Sequence, residues 1–183
     1  MNIFYLDENV NKSAQYHNDK HCVKMILEYA QLLCTAHREL DGSNAYEYLY
    51  RSTHKNHPSA KWVRESKANY EYLYKLFSAL CEEYTYRYGK THLTYTKLHN
   101  VLAIPPKNIP DGEFTQPTPA MPDDVKNIDS LIAYRNYYKK YKTHLENLRT
   151  AEKDYLNLEY KMDHNKLICQ LWQTISANKR QSV

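Results

Sequence analysis

Two short runs hold most of the side chains that could do chemistry. The first is His17-Asn-Asp-Lys20-His21-Cys-Val-Lys24. His17 and His21 stand at i and i+4, so on a helix they face the same way, a spacing that suits one divalent metal. Lys20 and Lys24 change that reading. Two ammonium groups disfavour a dication and favour an anion such as phosphate. The second run is Arg51-Ser-Thr53-His54-Lys55-Asn56-His57-Pro58. It adds two His, two cations and hydroxyls, and Pro58 suits a first helical position. A helix N-terminus with free N–H groups is itself an anion site.

If the two runs meet, His17, His21, Lys24 and His57 form the candidate catalytic group. Lys20, Arg51, Thr53, His54 and Asn56 are the candidate ligand-binding residues beside them. His could serve as acid and base, and the cations could hold a phosphoryl charge. The same groups would serve a protein that only binds a nucleotide. A third run, Tyr84-Thr-Tyr-Arg87-Tyr-Gly-Lys-Thr-His92, alternates basic and aromatic residues as base-stacking surfaces do. Cations at a helix C-terminus also complement the helix dipole.

These runs need elements to carry them. The sequence holds 3 Gly and 7 Pro in 183 residues, so long stretches lack the punctuation of strands and tight turns. The expected fold is mainly α: a compact bundle of about four to five helices in a single domain, 1–183, with a long Pro-rich strap over 100–127. Residues 2–6 read as a short strand or an arm. A first long helix is expected over 14–39, capped by Asn11 or Ser13. Its apolar side is Val23, Ile26, Leu27, Ala30, Leu33 and Cys34. Its polar side is His17, His21, Lys24, Glu28 and Gln31, within about 80° of arc. A short helix fits around 45–50. A second long helix is expected over 58–88, with Trp62 in its apolar stripe. Ser66, Asn69 and Arg87 fall in that stripe too, so they either brace the fold or line a site. Trp62, Asn69 and Arg87 therefore join the candidate ligand-binding residues. A third helix is expected over 129–149 and a further one after Asp163, built on Leu167, Ile168, Leu171, Trp172 and Ile175. The tail 178–183 reads as frayed.

Composition excludes several classes. The formal charge is +4 with a pI near 8.7, which permits a phosphate-bearing ligand without demanding one. No apolar run is long enough to span a membrane, and the first residues lack the features of a signal peptide. Cys22, Cys34, Cys81 and Cys169 form no CxxC pair and read as reduced thiols of a cytosolic protein. There is no P-loop, GxGxxG, GxSxG or grouped carboxylate pattern, so no metal or cofactor is expected. The 19 tyrosines are the compositional oddity, filling helix interfaces or stacking on bases.

The runs FYLDEN, AQYHNDKHCVKMILEYAQLL, THKNHPSAKWVRESKANYEYLYKLFSALCEEYTYRYGK and AMPDD…AYRNYY resemble an uncharacterised protein family of tailed phages, over roughly residues 1–142. That resemblance implies a viral origin and action in the cytoplasm of the infected host cell. The helix bearing His17, the Asn56-His57-Pro58 element and the run Leu80–Gly89 are also similar, in order, to pyrimidine-dimer DNA glycosylases. That family attacks with an N-terminal amine exposed after Met removal. Here residue 2 is Asn, too large for routine Met excision. The family's catalytic Glu would fall near Lys24, so a lysine could form the Schiff base instead.

The function expected from these readings is a phage-encoded protein that binds a nucleotide or a nucleic-acid phosphate in a His/Lys/Arg pocket. It would cleave or sequester a nucleotide signal of host immunity, as a metal-independent phosphodiesterase in the first case. Base excision from DNA is the alternative enzyme class. Non-enzymatic inhibition of a host factor is the third reading. The expected partner is a nucleotide or nucleic acid without a membrane, and a homo-oligomer is compatible with the sequence.

Overall fold

A computed structural model describes residues 1–142, all within one compact unit spanning Met1–Glu146. The elements expected after residue 142, including Asp163, Cys169 and the tail, lie outside the described residues, as does part of the domain expected over 1–183. Among the described residues there are six α-helices and no strand: α1 Val10–Gln15, α2 Asp19–Asp41, α3 Pro58–Glu65, α4 Lys67–Tyr88, α5 Leu93–Leu102 and α6 Ser130–Tyr141. None is long and apolar enough to cross a membrane.

The helix expected over 14–39 is two helices. Asn9 caps α1 by accepting from the amides of Asn11 and Lys12. The chain then leaves the helix at Tyr16–Asn18, and the Asn18 side chain accepts from the His21 amide to start α2. A short amide side chain competes with the helical ladder and wins where it can cap the next turn. The break frees carbonyls, and Arg87 of α4 donates to those of Gln15 and His17 at 2.8 Å each.

The helix expected over 58–88 also divides. Ser66 is extended (φ −152°, ψ 155°) and caps α4 through the Asn69 amide. The polar groups exposed by that break are met by the strap: Lys67 N–H donates to the Pro110 carbonyl and Ser66 Oγ–H to that of Glu113. Gly112 passes so close that a Cβ there would lie 3.0 Å from Ser66 Cβ. α5 has no counterpart among the expected helices. It takes the start of the expected strap, and residues 45–50 form turns rather than a short helix.

The remaining strap is ordered by its hydrogen bonds. Asp41 accepts from the amides of Lys107 and Asn108 at 3.0 Å. Trp62 Nε1–H donates to Thr115, and the Asn69 amide group joins the Trp62 carbonyl to Thr115. Trp62 and Asn69 are almost fully buried and are braces in this packing.

The core lies between α2 and α4. Met25, Ile26, Tyr29, Leu32 and Leu33 of α2 are buried with Leu73, Leu76, Phe77 and Leu80 of α4. The expected apolar side of α2 is therefore rotated. Val23 and Leu27 are exposed (42% and 40%), whereas His21, Tyr29 and Thr35 are buried. α2 is covered on several sides, so its buried arc is wider than one apolar stripe. Cys22, Cys34 and Cys81 are buried.

Residues 2–6 are an arm, not a strand, with Ile3–Leu6 buried. α6 covers this arm. Phe4 meets the rings of Tyr134, Tyr137 and Tyr138, and Arg135 donates to the Leu6 carbonyl and pairs with Asp7.

Candidate amine–carboxylate site

α2 presents Lys24 and Glu28 one turn apart on its polar stripe. Glu28 Oε1 is 3.1 Å from Lys24 Nζ, and Oε2 is 3.8 Å from the α-amino group of Met1. The side chains differ in setting: that of Met1 is 7% exposed and that of Lys24 69%, with that of Glu28 at 15%. The partly shielded Glu28 carboxylate is thus shared between the α-amine and the Lys24 amine. Lys24 is a solvated partner.

The arm holds Met1 there through a circuit of buried hydrogen bonds. Phe4 N–H donates to Tyr29 Oη at 3.1 Å. Tyr29 O–H in turn donates to His17 Nε2 at 2.8 Å, and His17 Nδ1–H to the Ser13 carbonyl at 2.7 Å. Ser13 Oγ–H donates back to the Phe4 carbonyl and accepts from the Leu6 amide. Every polar atom of the arm at Phe4 is thus tied to α1 or α2. His17 is fully buried, and burial lowers its pKa to about 3, in keeping with the neutral tautomer this circuit requires. Tyr29 is pushed well above the usual phenol range, again by burial.

His21 is a second buried, neutral histidine. Its Nδ1 accepts from Tyr138 O–H at 2.5 Å, and its ring stacks on Phe4 at 4.5 Å. Burial, then the charges of Lys142 and Lys24, lower its pKa to about 4.

The wall of the site comes from the loop before α3. Thr35 on α2 exchanges hydrogen bonds with the backbone of Thr53 in both directions. Thr53 Oγ1 bonds His54 Nδ1 at 2.7 Å, and His54 takes a left-handed backbone (φ 47°). Its carbonyl then accepts from the His57 amide. His57 caps α3 by accepting from Ser59 N–H at Nδ1, which places a neutral ring's proton on Nε2. Burial first, then the charges of the Met1 amine and His54, lower its pKa, while Glu28 opposes them. His57 therefore shares the electrostatic neighbourhood of Met1 and Glu28.

The sequence left open whether His17, His21 and His57 meet. His17 and His21 have partners inside the core, and His57 lies within electrostatic reach of the Met1 amine and Glu28. Arg87 is 5% exposed and bound to Glu83, Asp19 and two backbone carbonyls, so it clamps α4 to the α1–α2 turn. Lys20, Arg51 and Asn56 are exposed. Among the described residues no cluster of three His, Cys, Asp or Glu side chains could hold a metal ion.

Sequence reasoning did not nominate Glu28 or the Met1 amine. Glu28 was legible on the polar stripe one turn beyond Lys24.

Fold and site together define a small helical protein whose amino terminus is held against a shielded carboxylate on its central helix. The family profile of pyrimidine dimer DNA glycosylase matches residues 1–96, more than half of the chain, and the chain belongs to that family. No curated protein and no solved structure matches.

Proposed function

We propose that this protein is a DNA base-excision enzyme whose nucleophile is the α-amine at Met1. The observation that carries this reading is the α-amine 3.8 Å from the partly shielded Glu28 carboxylate. Glu28 takes a proton from the ammonium. The freed lone pair attacks the deoxyribose C1′ as the bond from C1′ to the base breaks, and the base leaves with that electron pair and takes the proton held by Glu28. Ring opening, with a proton passing from the attached nitrogen to the ring oxygen, then gives a Schiff base on the amine. His57, through Nε2–H, would hydrogen-bond the departing base or the ring oxygen without losing its proton. Lys24 and Lys20 offer charge to the flanking phosphates.

Base excision is favoured over cleavage or sequestration of a nucleotide signal because two of the histidines that reading requires, His17 and His21, are enclosed in the core. The phage resemblance supports action in the cytoplasm of an infected cell. The test is borohydride trapping on duplex DNA carrying a pyrimidine dimer, with mapping of the adduct. The expected adduct is on Met1, and an added N-terminal residue should abolish it. Glu28→Gln should slow trapping by about 100-fold or more, within the range for a positioned acid–base group. No adduct on damaged DNA refutes the reading. An adduct on Lys24 keeps base excision and overturns the choice of nucleophile.

A further inference from the structure

The loop that walls the site also carries an aromatic feature unused by that chemistry. Tyr46 and Tyr48 are 47% and 62% exposed, and their rings stack at 5.6 Å between centroids and 26° between planes. The stretch beneath them is braced. Arg38 donates to the carbonyls of Glu47, Leu49 and Tyr50, and the Leu49 side chain is buried. Two solvent-exposed rings on a braced turn lose little further freedom when a ligand stacks on them. Exposed Arg51 and Lys55 follow on the same loop, with Lys55 paired to Glu39. Glu47 lies between the rings in sequence and is exposed. Its carboxylate repels phosphate and accepts from exocyclic base amines, so the pair suits base faces while Arg51 and Lys55 suit the backbone.

We propose that the Tyr46–Tyr48 pair is a stacking surface for unpaired bases of the DNA substrate, outside the reaction centre. Arg38, which braces the loop, is ten residues along α2 from Glu28, or about 15 Å at 1.5 Å per residue. The pair would thus meet DNA a few base steps from the attacked sugar. This inference rests on the base-excision reading and deepens it.

The test uses the full chain and two labelled DNAs, a fully paired duplex and one with a central unpaired bubble. Wild type should prefer the bubble. Tyr46→Ala/Tyr48→Ala should weaken bubble binding by about 10-fold or more, with single-turnover trapping at saturating DNA unchanged. The corresponding Phe double variant should restore binding, because the ring and not the hydroxyl is used. Arg51→Ala should instead weaken both DNAs and flatten the salt dependence. Equal bubble affinity for the Ala double variant and wild type overturns the stacking surface and leaves the excision reading standing. Failure of the Phe variant to restore binding overturns it too. Wild type that neither binds nor is trapped overturns both.

Discussion

Replacing Tyr29 by Phe removes one oxygen and should affect two properties that ordinary core damage would not couple. In the folded protein that oxygen accepts from Phe4 N–H and donates to His17 Nε2, and Tyr29 and His17 are both fully buried. The substitution leaves a buried donor and a buried acceptor without this partner. At about 1–3 kcal/mol per unmet group, the loss should be on the order of 2–6 kcal/mol. For a domain of this size, that corresponds to a fall in Tm of roughly 5–25 °C. The second effect is on the amine. Phe4 is the point from which the arm reaches back to Met1, so loosening it should let the amine drift from Glu28. Displacement of about 1 Å costs on the order of 100-fold in a positioned reaction, and a 10- to 100-fold slower single-turnover trapping rate is expected. Both are measured on one preparation, by calorimetry and by borohydride trapping well below the variant's Tm. A lower Tm with an unchanged trapping rate would refute the positioning role. An unchanged Tm would refute the circuit itself.

Acid should destabilise the fold over a defined window. His17 and His21 have folded pKa values lowered to about 3 and about 4, so the unfolded chain binds more protons below pH 6.5. Their stabilisation is present above about pH 6.5 and falls as pH drops toward 4 for His21 and toward 3 for His17, by an order of a few kcal/mol, which urea unfolding against pH will read. His17→Asn should flatten that profile. Arg87→Ala should cost on the order of 3–5 kcal/mol, because a buried guanidinium satisfying two carboxylates and two carbonyls is lost; chemical denaturation checks it. Gly112→Ala should destabilise by about 1–3 kcal/mol, since the new Cβ meets Ser66 Cβ at 3.0 Å and the strap must shift. A thermal melt indistinguishable from wild type would show that the strap yields freely.

The amino-acid sequence by itself determined that this chain is helical, because scarce glycine and three- to four-residue apolar spacing leave few other ways to bury a core. It also located the Pro58 start of α3 and the end of α4 at Gly89, which takes the left-handed backbone that glycine permits. Those are local properties, set within a few residues. It did not reveal the breaks at Tyr16–Asn18 and Ser66. Each depends on a partner distant in sequence, Arg87 for the first and the strap at 110–113 for the second. Nor did it separate the histidines. His17, His21 and His57 are alike as letters, and only packing decides that the first two are enclosed in neutral hydrogen-bond networks while His57 caps α3 through Ser59 N–H. The proposed amine–carboxylate pair was hardest to see. An α-amine is common to every chain and Glu28 is one carboxylate among many. They become a site only when Phe4, Tyr29, His17 and Ser13 fold the arm back over α2.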